Sequence, residues 1–232
     1  MRNLIAVFLL ALAGSAFAEA SPIAPFKAEY AAARNGKALG RTTIELVDNR
    51  DDTWTLRTST LGTQGLASLA GLDVVEESRL RWRDGRPESL AYDFRQTAAL
   101  RSRHRHAEFD WNHREVHMRD GDSDARYALV DGTVDRHALT LALVTDLVNG
   151  VTPAPYAVAM KEAIEEVRYD DCGAAAVAVP AGRYATRCLE RRRARRTSTS
   201  WFAEAAGWLP VRIEQIEKGD QTITLELVSL QR

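Results

Sequence analysis

From Phe26 onward, apolar residues recur at every second position along most of the chain. In the first such stretch Phe26, Ala28 and Tyr30 alternate with Lys27 and Glu29. This period is typical of a strand with one buried face. About ten segments show this alternation, and so many short strand-like segments are typical of an all-β protein. Turn-forming pairs separate several of them: Asn35-Gly36, Asp84-Gly85 and Asn112-His113.

One segment, from Asp135 to Val148, has a helical period instead. Asp135 is a residue type that caps a first helical turn, and Gly150 can adopt the left-handed conformation that ends a helix. The pattern predicts one amphipathic helix, with three leucines on its apolar face: Leu139, Leu143 and Leu147.

These elements predict an all-β, mainly antiparallel protein with one main helix. A sheet of so many strands tends to curl into a barrel or half-barrel. The chain has no linker-like or repetitive stretch, so residues 19–232 are predicted to form a single domain. Residues 1–18 are set apart by their composition.

The first 18 residues have the pattern of a cleavable signal peptide. Arg2 precedes the apolar run Leu4–Leu12, and Ala16 and Ala18 stand at the −3 and −1 positions of a cleavage site. We therefore expect a protein of the bacterial periplasm. No later stretch is long and apolar enough to be a transmembrane segment. The formal net charge of −1 does not favour nucleic acid as a partner.

Two cysteines, Cys172 and Cys188, flank the turn sequence Pro180-Ala181-Gly182. An antiparallel hairpin around this turn would bring them face to face, and an exported protein enters an oxidising compartment. The sequence therefore favours a structural disulfide over the alternative of two buried free thiols. Neither cysteine belongs to a Cys-x-x-Cys redox motif.

Nine short motifs, in this order and spacing, resemble the bacterial exported family called domain of unknown function 3108. The resemblance covers about Phe26 to Leu227. It implies an envelope or periplasmic location and a mostly antiparallel β fold, and it supplies no activity and no catalytic residues. The motifs are Pro25-Phe26-Lys27-Ala28-Glu29-Tyr30, Asp52-Thr53-Trp54-Thr55-Leu56, Glu77-Ser78-Arg79-Leu80-Arg81, Tyr92-Asp93-Phe94, Phe109-Asp110-Trp111, Pro180-Ala181-Gly182, Leu189-Glu190-Arg191, Trp201-Phe202-Ala203 and Leu209-Pro210-Val211-Arg212.

The sequence shows no coherent catalytic or metal-binding set. It has neither a G-x-S-x-G nor an S-x-x-K motif. The pairs Glu76-Glu77 and Glu165-Glu166 point to opposite faces of a strand, and we expect them at solvated edges. His104 and His106 share a strand face, but neighbouring arginines would repel a divalent ion. We therefore expect a protein that is not an enzyme and that uses no metal and no cofactor.

An acidic stretch from Asp120 to Asp131 imitates a calcium-binding loop. Its sixth position is Ala125, where such loops need glycine, and its last ligand is aspartate instead of glutamate. We interpret it as an acidic turn between strands.

The run from Arg191 to Arg196 is the sharpest charge feature. On a strand Arg191, Arg193 and Arg195 share one face, and neither face is apolar, so the run is expected to project beyond the core. It would either protect a sheet edge or contact an anionic envelope component, such as a lipid headgroup, lipopolysaccharide or peptidoglycan.

Two classes of function follow. The first is a carrier or sensor of a lipid or apolar small molecule held inside the curled sheet. The second is an envelope interaction module that uses residues 191–196 to contact an anionic surface or a protein partner. An apolar cavity of several hundred Å3 would favour the first class, and a filled interior the second.

Overall fold

The computed structural model describes residues 21–64, 71–98, 101–217 and 221–232. The predicted signal peptide lies outside these residues. In chain order the strands are β1 (Phe26–Arg34), β2 (Lys37–Asp48), β3 (Trp54–Gly62), β4 (Asp73–Arg83), β5 (Arg86–Ala98), β6 (Arg101–Asp110), β7 (Glu115–Asp120), β8 (Ser123–Ala128), β9 (Val134–Asp135), β10 (Tyr156–Ala159), β11 (Ile164–Val167), β12 (Asp170–Val179), β13 (Gly182–Arg193), β14 (Arg196–Ala203), β15 (Leu209–Glu217) and β16 (Gln221–Gln231). Helix α1 spans Leu139–Val148, and a short 3-10 turn spans Glu204–Ala206.

Thirteen of these strands form one antiparallel sheet in the order β12-β13-β14-β15-β16-β1-β2-β3-β4-β5-β6-β7-β8. Each strand pairs with its neighbour in sequence, except that the last strand, β16, pairs with the first, β1. Strands β12 and β8 are the two edges, so the sheet is open. The predicted all-β, mainly antiparallel class is confirmed, and the open sheet is a half-barrel and not a closed barrel. A second sheet has the order β11-β10-β9, with β9 and β10 parallel.

The tight turns form as the sequence predicts. Asn35 and Gly36 both have positive φ angles, 50° and 73°, and Asp84 and Gly85 have 51° and 68°. Two successive left-handed residues characterise the type I′ hairpin, whose twist matches that of the flanking strands. Local sequence therefore sets the register of β1 with β2 and of β4 with β5.

Helix α1 begins at Leu139, four residues later than predicted. Asp135 belongs to β9, where it pairs with Ala159, so its backbone is extended. Its carboxylate still binds the start of the helical region, since Oδ1 accepts hydrogen bonds from the backbone N–H groups of His137 and Ala138 at 2.8 and 2.9 Å. At the other end Gly150 has φ 66°, as predicted for a helix stop.

The helix fills the concave side of the large sheet and is buried on nearly every side. Its leucines belong to one apolar cluster with residues of strands from both halves of the sheet, including Leu46, Leu80, Phe202 and Leu227. The sheet therefore wraps around α1, and the helix is more deeply buried than an amphipathic pattern implies. Asp146, a buried polar residue of the helix, is bonded by Arg86 and by the Tyr156 hydroxyl, at 3.0 and 2.6 Å.

The predicted disulfide between Cys172 and Cys188 is present, with the Cα atoms 5.0 Å apart. It joins edge strand β12 to β13 across the predicted hairpin, in which Val179 pairs with Gly182. Cys172 is the extra residue of a bulge, and the adjacent Gly173 has φ 93°. The bond thus fastens the exposed edge of the sheet at an irregular point in its ladder.

Candidate functional site

The concave face of the sheet is apolar where α1 covers it and becomes polar beyond the start of the helix. There it forms a cleft of about 250 Å3, which we call the arginine cleft. The cleft lies between the inner faces of β13–β15, the first turn of α1 and the β10–β11 hairpin. The side chains that define it are Arg136, Tyr169, Arg191, Arg193 and Arg196.

Strand geometry places two of the predicted arginines in this cleft. Arg191 and Arg193 are two residues apart on β13, so they share the face of Leu189, which is buried in the core. The inner face of β13 therefore changes from apolar to cationic within one strand. Arg191 is half-buried and Arg193 is exposed, so both lie beyond the apolar core, on the same face as Leu189.

Arg195 does not share that face. β13 ends at Arg193, which pairs directly with Arg196 on β14, and Arg195 lies in the intervening turn as an exposed side chain. The predicted set of Arg191, Arg193 and Arg195 is thus corrected: Arg196 takes the place of Arg195 in the cleft. A strand period counted across a turn assigns faces wrongly.

Arg191 is a half-buried cation that forms no ion pair with any carboxylate of the described residues. Its guanidinium lies close enough to the Tyr169 side chain for the two groups to affect each other's pKa. Burial and the neighbouring charge of Arg193 lower the pKa of Arg191, and Tyr169 and Glu165 oppose this shift only in part. In the part of the chain that the structure describes, no carboxylate oxygen lies within ion-pair distance of Arg191.

The other three arginines of the cleft each have a carboxylate partner. Arg193 donates to Glu165 Oε2 of β11 at 2.7 Å. Arg196 is paired with Glu217, its direct neighbour on β15. Arg136 Nε lies 3.2 Å from Glu76 Oε1. Arg191 is thus the cation of the cleft that is best placed to meet an external anion.

Glu76, the partner of Arg136, is not at a solvated edge, contrary to expectation. Its side chain is only 17% exposed, and the Tyr92 hydroxyl donates a 2.6 Å hydrogen bond to it. Burial raises the pKa of Glu76, but the nearby His137 and Arg136 outweigh this effect and hold the pKa below its usual value. Glu77, one residue on, points outward and binds Arg57 at 3.0 Å, as the alternation predicts.

A buried network anchors the start of α1 to the sheet. Ser78 Oγ donates to Asp135 Oδ1 at 2.8 Å and lies 2.9 Å from His137 Nδ1, whose ring reaches Thr58 with Nε2. In a hydrolase triad the aspartate orients the histidine and the histidine receives the serine proton. Here the aspartate binds Ser78, and Ser78 is fully buried. The network therefore has the connections of a structural anchor.

Sequence reasoning missed Arg136 and Tyr169 because neither belongs to a charge run or a motif. The histidine pair and the acidic stretch have local partners: His104 and His106 both contact Asp93, at 3.3 and 3.2 Å, and Asp120 binds two arginines. Within the described ranges, no group of three or more His, Cys, Asp or Glu side chains is arranged to hold a metal ion. Among the helices described, none is long and apolar enough to cross a membrane.

An open antiparallel sheet wrapped around one helix defines a β-barrel-like protein. The chain belongs to the family described as Protein of unknown function (DUF3108), whose sequence profile matches residues 26–228. This confirms the family resemblance seen in the sequence motifs. No curated protein matches the chain.

Among solved structures, the chain is similar to a beta-barrel-like protein of domain of unknown function DUF1849 from Brucella abortus. The two share 10% identity with a TM-score of 0.54, and the match covers 91% of this chain and 99% of the other. The MucA/MucB complex of Pseudomonas aeruginosa matches with 12% identity and a TM-score of 0.32, over 89% of this chain and 51% of the other. A structure of MucB in complex with MucA(peri) matches with 13% identity and a TM-score of 0.17, over 89% of this chain and 93% of the other. The shared fold rests on the first structure.

Proposed function

We propose that the protein is a non-enzymatic binding module of the cell envelope that holds an acidic partner in the arginine cleft. The observation that carries this proposal is the half-buried Arg191, which has no carboxylate partner among the described residues. A guanidinium presents a planar fork of donors that matches carboxylate and phosphate groups. An incoming anion would offset the cost of keeping this cation out of water.

The alternative of an apolar ligand inside the sheet has less support. Helix α1 occupies the apolar half of the concave face with Leu139, Leu143 and Leu147. The remaining cleft is lined mainly by charged and hydroxyl groups, including Ser198 and Ser200. Ligand pockets for lipids are instead mostly apolar.

An envelope location is part of the proposal. The disulfide between Cys172 and Cys188 supports it, because such bonds persist in oxidising compartments. The signal-peptide pattern of residues 1–18 supports it independently. A periplasmic module would meet acidic groups on proteins, glycans and lipids, and the cleft selects among them by shape and charge.

The experiment that tests this proposal is titration calorimetry at low salt with two polyanions, hexaglutamate and tripolyphosphate. Arg191→Gln should weaken binding of the preferred polyanion about tenfold, or about 1.4 kcal/mol, since it removes one charge-assisted contact at a half-buried site. Arg195→Gln is the matched control: it removes the same charge outside the cleft and should change the affinity less than twofold.

Equal losses in Arg191→Gln and Arg195→Gln would show general charge attraction and contradict the proposal. Absence of measurable binding to either polyanion would contradict it as well. Both variants should keep the wild-type melting temperature, because neither side chain belongs to the apolar core. That measurement separates loss of binding from loss of fold.

A further inference from the structure

The ion pair between Arg193 and Glu165 joins the two sheets across the arginine cleft. Arg193 lies on β13 of the large sheet, and Glu165 lies on β11, an edge strand of the small sheet. The pair of Arg196 and Glu217 lies within the large sheet, between directly opposed residues. Glu165 is therefore a carboxylate from the small sheet that pairs with an arginine of the cleft.

This contact is open to solvent and easily exchanged. The side chains of Arg193 and Glu165 are 45% and 53% exposed, and exposed ion pairs contribute little to stability. Glu76, in contrast, is mostly buried and is also bound by Tyr92, so its contact with Arg136 is less open to exchange. Arg196 and Glu217 are similarly exposed, at 46% and 38%, but Glu217 is the direct cross-strand neighbour of Arg196. Arg193 is therefore the paired cleft arginine whose exposed partner comes from the other sheet, and an external carboxylate can capture it at low cost.

The spacing of the cations indicates what kind of ligand fits. Arg191 and Arg193 stand two residues apart on one strand, so their Cα atoms are about 6.6 Å apart. Acidic side chains at alternate positions of an extended polypeptide have the same spacing. The cleft also offers polar groups to a peptide backbone, from Ser198 and Gln215. A recessed cleft of about 250 Å3 suits such a segment better than the flat surface of a bilayer.

We propose that the ligand is an extended, carboxylate-rich polypeptide segment, and that Glu165 is an internal competitor which such a segment displaces from Arg193. This inference rests on the proposed function of the cleft. In the free protein Glu165 occupies the position of one ligand carboxylate on Arg193, and Arg191 is available to bind a second ligand carboxylate. The competitor lowers the affinity for the ligand without abolishing binding.

The test compares Glu165→Gln with Glu166→Gln in the hexaglutamate titration. Removal of the competitor should tighten binding between about 1.5-fold and 5-fold, the range that corresponds to an exposed ion pair. Glu166→Gln is the matched control, because it removes the same charge from the adjacent residue. The Glu166 side chain binds Arg168, with 2.6 Å between the two groups, and does not line the cleft. This variant should leave the affinity nearly unchanged.

A double-mutant cycle identifies the route of the effect. In an Arg193→Gln background, the gain from Glu165→Gln should shrink to that of Glu166→Gln, because the arginine it occupies is absent. Equal gains in affinity from the two glutamate variants would overturn the proposal that Glu165 is a competitor. A gain from Glu165→Gln that survives in the Arg193→Gln background would overturn it as well.

The remaining outcomes separate this inference from the proposed function. If tripolyphosphate binds in an Arg191-dependent manner and hexaglutamate does not, the anion-binding function stands and the polypeptide ligand is wrong. If vesicles containing phosphatidylglycerol compete with hexaglutamate more strongly than free tripolyphosphate does, a membrane surface is the partner and the inference is again wrong. If Arg191→Gln changes nothing, the proposed function itself fails.

Discussion

Replacement of Asp135 should destabilise this fold strongly. Its Oδ1 accepts hydrogen bonds from Ser78 Oγ and from the backbone N–H groups of His137 and Ala138, at 2.8 to 2.9 Å. Its Oδ2 accepts a fourth, from Ser89 Oγ at 2.7 Å. The carboxylate is completely buried, so it connects strands β4 and β5 to the start of α1 without help from solvent.

The structure sets the magnitude of the effect. In Asp135→Ala the Ser78 hydroxyl can turn to His137 Nδ1, which it already contacts, but the Ser89 hydroxyl loses its acceptor and keeps only the hydrogen bond that it receives from the backbone N–H of residue 135. The N–H groups of His137 and Ala138 lose their acceptor, and each unsatisfied buried donor costs about 1–3 kcal/mol. With the cavity added, we expect a loss of about 3–5 kcal/mol. Asp135→Asn keeps the Oδ1 acceptor and should lose about 1–2 kcal/mol.

Urea unfolding followed by tryptophan fluorescence at pH 7 measures these free energies. A loss of about 4 kcal/mol is a large part of the stability of a typical domain, about 5–15 kcal/mol. Asp122→Ala, at an exposed turn, is the control and should change stability by less than about 0.5 kcal/mol. A loss below about 1 kcal/mol for Asp135→Ala, or an equal loss for Asp135→Asn, would refute the reasoning.

Two further predictions concern the disulfide and pH. Replacing both Cys172 and Cys188 with Ser should lower stability by about 3 kcal/mol and the melting temperature by roughly 6–12 °C, with the β circular-dichroism signal retained; two alkylated thiols in the untreated native protein would contradict the bond. Burial disfavours the Asp120 carboxylate, but hydrogen bonds from Arg103 and Arg105 outweigh it and hold its pKa below the usual value. The stability advantage of wild type over Asp120→Asn should therefore be constant near neutral pH and shrink below about pH 4, as the folded protein takes up the proton; a growing advantage would contradict this.

Local sequence determined most strands of the large sheet, the hairpin turns and the end of the helix, but not strand β8, which lies within the stretch interpreted as an acidic turn. Alternating polarity reports which residues of a strand are buried, and Asn35-Gly36 needs only its own backbone preference to form a type I′ turn. Gly150 ends α1 for the same reason, through its tolerance of a positive φ angle. The pairing of Cys172 with Cys188 was predictable because a short hairpin separates them.

Tertiary structure alone decided the neighbours of each strand and the site between them. The pairing of β16 with β1 joins segments nearly 200 residues apart, which no local pattern records. In the same way, the curl of the sheet and the position of α1 bring Arg136 and Tyr169 to Arg191. Glu165 also reaches Arg193 only because the small sheet lies over the cleft.

The arginine run from Arg191 to Arg196 shows most clearly what a strand period cannot predict. Period two predicts that Arg191 and Arg193 share a face, and they do. It does not say whether that face lies inside or outside the curled sheet, or that the chain turns before Arg195. Those facts depend on cross-strand register and on how the sheet wraps around α1. Both are set by the burial of apolar side chains from distant segments, so only the folded chain determines them.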